Sequence, residues 1–401
     1  MTKYLARLGH RVVVLTSDRS GAGPVEGAAD VIRTPDMAST RLNWRLAPAT
    51  KGGPQELPTG AARGIELHLV PDIALLSWLP FALPGVLRAA RRFPIDCVIT
   101  TAPPPSVHIL GAALQRLGVR WIADLRDGWT VDPPRPPWRL GAERRLDEAL
   151  ERGLLRRADA VLGVTRPIVA DLRERLAIDA QLVPNGFDPE ETGHEDRRKV
   201  AGLLSDSRHS LVHTGRASVS ERTPETLYAA IRSMLAADQS ISGRLEVVFA
   251  GPLSAEEQRA LADPELSRIV RAVGSLDHGA ALALQREADS LLVIAGGPRE
   301  RSLATGKLFE YLTTGLPILV IGEGSEAARI VGDTGTGFAV QAESPAAIAA
   351  GIERLMRGAG TTPDADAIAR YSWERLAGQV GELVDELCAR PAPRRRADRE
   401  R

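Results

Sequence analysis

Apolar residues in this chain fall into short unbroken runs separated by stretches of helical period, the pattern of buried parallel strands joined by amphipathic helices. The chain opens on a helical segment that ends at Gly9, followed by the run Arg11-Val12-Val13-Val14-Leu15-Thr16. Residues 18–63 carry Gly, Pro, Ser and Thr throughout and read as irregular. Residues 73–87, interrupted by Pro80 and Pro84, form the most apolar window. With no lysine or arginine inside it, that window reads as a buried helix pair in preference to a membrane-touching face. Strands are then expected at 96–100, 120–123, 160–164 and 181–183, with helices at 106–117, 143–157 and 167–176. Pro184-Asn185-Gly186 is a turn and marks a domain boundary. The second half repeats the rhythm, with strands at 211–213, 245–249, 269–270, 291–294 and 318–321 and helices between them.

This alternation predicts an α/β protein with two parallel sheets and right-handed crossovers, arranged as two Rossmann-like domains facing across a cleft. The expected bounds are 1–184 and 185–365, then a terminal helix over 366–389 that returns to the first domain and a disordered basic tail over 390–401. The opening is unusual, because a helix precedes the first strand where a doubly wound sheet normally begins with a central strand and a glycine-rich turn. The first strand of the N-terminal domain is therefore expected to be missing, from a recorded start downstream of the real one.

Composition narrows the class. The chain's 401 residues suit two domains, and 51 basic against 51 acidic residues leave no net field for nucleic acid. Cys97 and Cys388 form no metal or redox motif, and no apolar run is long enough to span a bilayer, so a cytoplasmic location is expected. The seven histidines do not cluster at metal-ligand spacing, so no metal site is expected. A P-loop, a Gly-x-Gly-x-x-Gly turn after a strand and a Gly-x-Ser-x-Gly elbow are all absent.

The richest stretch is Thr305-Gly306-Lys307-Leu308-Phe309-Glu310-Tyr311-Leu312, a short, largely buried helix closed by Gly315 and Pro317. Its entrance offers free N–H groups to a phosphate, and Glu310 stands alone as a carboxylate in an apolar run, suited to a sugar diol. Lys307 sits one turn earlier and can face the same way. Other candidates lie at strand ends, where open parallel sheets bind ligands. Gly215 and Arg216 follow one strand and lead towards Arg222, two guanidinium groups that match a diphosphate. Gly274, Ser275 and Leu276 follow another, where backbone groups could meet a planar base. In the first half, Asp124-Leu125-Arg126-Asp127-Gly128-Trp129 ends a strand with two acids and an arginine, which need each other or a ligand. His108 reads as a satisfied structural histidine.

In order and spacing, Pro184-Asn185-Gly186-Phe187-Asp188, Gly215-Arg216 with Arg222, Val273-Gly274-Ser275-Leu276 and Lys307-Leu308-Phe309-Glu310-Tyr311-Leu312 resemble the GT-B glycosyltransferases of family 4, the retaining branch. The resemblance implies a UDP-, GDP- or dTDP-linked sugar held by the second domain, with no tightly bound cofactor, and a hydroxyl acceptor, lipid-linked in some relatives, held by the first. It implies ribose binding by Glu310, diphosphate binding by Arg216 and Arg222, and phosphate or sugar contacts from Thr305, Gly306 and Lys307. Arg216, Arg222 and Lys307, with Arg126 and Asp127 in the first-domain cleft, are the expected catalytic residues, and a weak membrane-surface contact is among the partners implied. Two positions depart from the family pattern: Ser302 replaces a second glutamate, and Arg126 stands where many relatives have histidine. A non-catalytic partner protein and a nucleotide-sugar epimerase are the competing readings.

Overall fold

The structure is a computed structural model that describes residues 1–18, 23–37, 70–72, 74–131, 138, 140–191, 197–217, 224–295, 304–358 and 361–390. It divides into two compact units, with the chain leaving the first at Pro184 and re-entering it at Trp373.

The first unit opens with α1 (Thr2–Arg7), β1 (Val12–Ser17) and β2 (Ala28–Thr34), followed by α2 (Ala74–Ser77) and α3 (Leu79–Arg92). It continues through β3 (Cys97–Ala102), α4 (His108–Arg116), β4 (Arg120–Leu125), α5 (Gly141–Leu155), β5 (Ala160–Gly163), α6 (Arg166–Leu176) and β6 (Gln181–Leu182). β3 to β6 form one parallel sheet in sequence order, while β1 and β2 pair only with each other among the described strands. All six residues of β1 are only half-buried, whereas Trp121, Ile122 and Ala123 of β4 are fully enclosed.

Two expectations fail in this unit. The stretch 18–63 is not wholly irregular, because β2 lies within it; as a strand paired on one side only, it lacks the continuous apolar run that marks a central strand. Gly27 feeds it at φ +80°, and a side chain there would meet the Lys3 backbone at 2.5 Å. The window 73–87 is a helix pair buried on one face only, where Ala74, Trp78, Leu79, Ala82 and Val86 pack into a core cluster. α3 runs past Leu87 to Arg92, and the pair leaves Leu76 on α2 and Leu83 and Leu87 on α3 exposed at 57, 40 and 36%.

The second unit contains β7 (His209–Thr214), α7 (Glu225–Ala237), β8 (Leu245–Ala250), α8 (Ala255–Leu261), β9 (Val270–Ala272), α9 (His278–Glu287) and β10 (Ser290–Ile294). Then come α10 (Gly306–Leu312), β11 (Ile318–Ile321), α11 (Glu326–Asp333), β12 (Gly337–Val340), α12 (Pro345–Met356) and α13 (Ala365–Ala369). The strand order is β12-β11-β10-β7-β8-β9, all parallel. The chain thus winds outward from β7 in one direction and restarts from β10 in the other. Side chains alternate between two packed layers, with Leu211, Val247, Phe249 and Leu292 on one face and Val212, Val248, Leu291 and Val293 on the other. The hydrophobic pattern alone resolved none of α11, β12, α12 or α13; β12 is half-buried throughout and α13 has five residues, so neither stands out as an apolar run.

The chain finally returns to the first unit as α14 (Trp373–Ala389), beginning at Trp373 and not at 366. Leu376, Ala377, Val380, Leu383 and Leu387 pack against Tyr4, Leu5, Ile122 and Leu162. The two crossing segments lie side by side, with Phe187 N–H donating to the Tyr371 carbonyl at 3.0 Å. Among the described residues no helix is long and apolar enough to cross a membrane.

Candidate functional site

β7 and β10 are the neighbours from which the second sheet winds in opposite directions, and ligands in open α/β sheets bind beyond the strand ends at such a switch point. β7 ends in Thr214, Gly215 and Arg216, and α10 enters the same place from the β10 side. Gly215 takes φ +81° and donates its N–H to the Ala250 carbonyl at 2.7 Å. Gly251 packs directly beneath: a side chain there would lie 2.3 Å from the Gly215 oxygen. The two glycines let the β7 and β8 turns touch through their backbones.

Lys307 reaches across to this turn. Its Nζ donates to Nε2 of His213 at 2.7 Å and to the Arg216 carbonyl at 3.2 Å. The Arg216 side chain itself is exposed at the strand end. One turn along α10, Glu310 is half-buried and accepts a hydrogen bond from Gln285 Nε2 at 3.0 Å. The same amide donates to Thr214 Oγ1 at 3.1 Å, and the Thr214 N–H donates to the Tyr311 hydroxyl at 2.9 Å. Burial pushes the Tyr311 phenol up to about 12, so it stays protonated at neutral pH. Lys307 and Glu310 are thus each fixed by groups from other elements, a cation and an anion one helical turn apart.

Two details of the helix differ from expectation. Glu310 is not enclosed in the core, and α10 has only seven residues with no side-chain cap at Thr305, so its dipole is a weaker anion seat than the sequence implied. A side chain added at Gly306 would meet nothing within 4 Å, which leaves open space beside Lys307. Gly274, Ser275 and Leu276 follow the edge strand β9, two strand spacings, or about 10 Å, from β7. Gly274 has φ +78°. Arg222 and Ser302 lie outside the described residues.

Sequence reasoning overlooked His213 and Gln285. A histidine inside the apolar run of β7, and a glutamine buried on α9 beside Ala283 and Leu284, were the available signals.

In the first unit, Arg126 follows β4 and its Nε donates to Asp124 Oδ2 at 2.9 Å. Its Nη1 donates to the carbonyls of Val183 and Pro184 at 3.1 and 3.2 Å, and its guanidinium lies 5.9 Å from the Trp373 ring. The acid–base pairing that the sequence raised is therefore present. Burial raises the Asp124 carboxyl, partly offset by Arg126. Asp127 is half-buried on the following turn, where a side chain at Gly128 would collide with the Val131 carbonyl at 1.8 Å. Two enclosed acids of α5 anchor this turn: Trp129 Nε1 donates to Asp147 at 2.8 Å, and Thr130 donates to Glu151 at 2.5 Å. His108 stacks on Trp129 and shares a 2.8 Å hydrogen bond with Thr100; full burial lowers its pKa to about 3. Among the described residues, no group of three or more His, Cys, Asp or Glu is placed to hold a metal ion.

The chain is similar to known proteins in part of its sequence and in its fold. Residues 1–186 match the family model described as "Glycosyl transferase 4-like domain". The fold over 97% of the chain matches 92% of sucrose-phosphate synthase from Thermosynechococcus elongatus, with TM-score 0.69 and 18% identity. It also matches a glycosyltransferase from Rickettsia africae over 97% of this chain and 93% of that one, with TM-score 0.59 and 12% identity. Anabaena HepE, solved in complex with UDP, matches over 76% of this chain and 82% of its own, with TM-score 0.53 and 16% identity. No curated protein matches the sequence. The first 186 residues are thus similar to the glycosyltransferase 4-like family, and the chain has the fold of these solved GT-B structures, an α/β architecture of two parallel sheets. Glycosyltransferases of family 4 use nucleotide-sugar donors and retain the anomeric configuration.

Proposed function

We propose that this chain is a retaining glycosyltransferase that moves a hexosyl group from a UDP-, GDP- or dTDP-linked sugar to an acceptor hydroxyl in polysaccharide, glycolipid or specialised-metabolite glycosylation. The observation that carries this reading is the pair Lys307 and Glu310, each fixed by partners from other elements at the switch point of the second sheet. Glu310 takes the ribose hydroxyls. Lys307, Arg216 and Arg222 stabilise the diphosphate as negative charge develops on it, the largest help a site of this kind can give. Gly215, Thr305 and Gly306 leave room for the phosphates, and Gly274, Ser275 and Leu276 meet the base. The bond from the anomeric carbon to the diphosphate breaks while a bond to the acceptor oxygen forms on the same face, and the acceptor proton passes to the leaving phosphate.

On the acceptor side, Arg126 holds the turn that presents Asp127. The reaction belongs in the cytoplasm, with an acceptor that can be lipid-linked. A weak membrane-surface contact is supported by α3, whose exposed leucines are followed on the same helix by Arg88, Arg91 and Arg92. The test is incubation with each nucleotide sugar, with and without candidate hydroxyl acceptors, followed by product analysis. Glycoside formed only with acceptor, and lowered roughly 30- to 1,000-fold in Glu310→Ala, is expected. Sugar interconversion without acceptor would mark an epimerase, and donor binding without turnover a non-catalytic partner.

A further inference from the structure

His213 is the penultimate residue of β7, inside a strand whose other residues are apolar or short hydroxyls apart from the opening His209. It is 1% exposed, tilted against Phe249 at 5.5 Å, and both ring nitrogens are engaged. Nδ1 lies 2.9 Å from the Leu292 carbonyl on β10. A carbonyl can only accept, so Nδ1 carries the proton. In the neutral ring Nε2 is then a bare lone pair, and it lies 2.7 Å from the Lys307 ammonium. The Arg216 carbonyl, 3.1 Å from Nε2, faces the same ammonium and is no partner for a lone pair; it accepts from Lys307 at 3.2 Å instead. The sheet thus dictates the tautomer, and the tautomer creates an acceptor aimed at Lys307.

We propose that His213 is a positioning residue that directs the Lys307 ammonium at the donor diphosphate; this rests on the donor reading given above. Lysine is a flexible point charge on a four-carbon stem, so its value to a transition state depends on what holds it. Imidazole Nε2 and the Arg216 carbonyl are both neutral, so they orient the charge without cancelling it. A carboxylate in the same place would orient it equally well and discard its field.

Two variants and one spectrum test this. His213→Leu removes the acceptor, and His213→Gln restores an amide oxygen near the Nε2 position. Calorimetry with UDP, GDP, dTDP and ADP, and with the matching monophosphates, is the binding readout. In His213→Leu the diphosphate is expected to bind roughly tenfold more weakly, with the monophosphate little changed. His213→Gln is expected to recover most of that loss, and in a Lys307→Met background His213→Leu is expected to cost nothing further. Equal losses for monophosphate and diphosphate, or an undiminished loss in the Lys307→Met background, would overturn the proposal. Histidine ¹⁵N spectra of the nucleotide-free protein read the contact itself. A proton found on Nε2 overturns this inference and leaves the donor reading standing. The expected tautomer with no nucleotide bound by the wild-type protein overturns the donor reading, and with it the role assigned to His213.

Discussion

At the scale of single residues, the first unit stakes stability on a histidine that cannot be charged in place. His108 is fully enclosed, bonded to Thr100 through Nδ1 and stacked on Trp129, and among the described residues its Nε2 has no partner. Its pKa falls from 6.5 to about 3 because burial penalises the imidazolium. The folded state therefore binds fewer protons than the unfolded chain between those values. The stability is fully present above pH 6.5 and is lost as pH falls towards 3. Between pH 7 and pH 5 the loss should be about 2 kcal/mol. Asp124, whose pKa is raised by burial, works in the opposite sense, but it is common to wild type and variant. Urea midpoints at both pH values should show a flatter profile for His108→Asn than for wild type. An equal slope in the two would rule this assignment out.

At the scale of elements, the β7 and β8 turns depend on two glycines for different reasons. Gly215 needs its positive φ, whereas Gly251 needs the absence of a side chain, since a Cβ would press on the Gly215 carbonyl at 2.3 Å. Gly251→Ala should therefore displace the turn that carries Arg216. We expect a loss of about 1–3 kcal/mol in chemical denaturation, and weaker nucleotide binding measured by calorimetry. Unchanged stability and affinity would mean that the two turns are not coupled. The elements that sequence made legible were those with apolar runs, such as Val247–Ala250 within β8 and Ile318–Ile321, both completely buried. Those it missed carry no such run. Among the described strands β2 pairs on one side only, and β12 is half-buried throughout. Within the site, Glu310 and Lys307 were legible because a charged residue in an apolar helix demands a partner. Gln285 and His213 were not, because a neutral polar residue in a buried run declares no partner until the neighbouring strand and helix are in place.

At the scale of the molecule, the chain crosses between its two units twice, and Arg126 grips both crossings on the first unit's side through the Val183 and Pro184 carbonyls and the Trp373 ring. An arginine in a site that family resemblance would fill with histidine is thus committed to structure as well as charge. The same unit carries the outward face of α2 and α3. Pro80, Leu83, Pro84 and Leu87 are exposed and lead into Arg88, Arg91 and Arg92, the last paired with Asp30 at 3.2 Å. Apolar side chains followed by arginines suit an anionic lipid interface. The protein is expected to cosediment with vesicles containing phosphatidylglycerol and not with purely zwitterionic ones. Leu83→Ser with Leu87→Ser should abolish this while leaving nucleotide binding intact. Equal sedimentation with both vesicle types, or no effect of the serines, would remove the membrane contact from the account.

The proposed function has the second unit read a nucleotide through a ribose held by Glu310. The most direct measurement is a binding cycle by calorimetry, pairing wild type and Glu310→Ala with the best-bound nucleoside diphosphate and its 2′,3′-dideoxy analogue. Wild type is expected to lose about 2–4 kcal/mol of binding energy when the ribose hydroxyls are removed, and Glu310→Ala is expected not to distinguish the two ligands. Equal discrimination by both proteins, or no binding of any nucleoside diphosphate by the wild type, would contradict it.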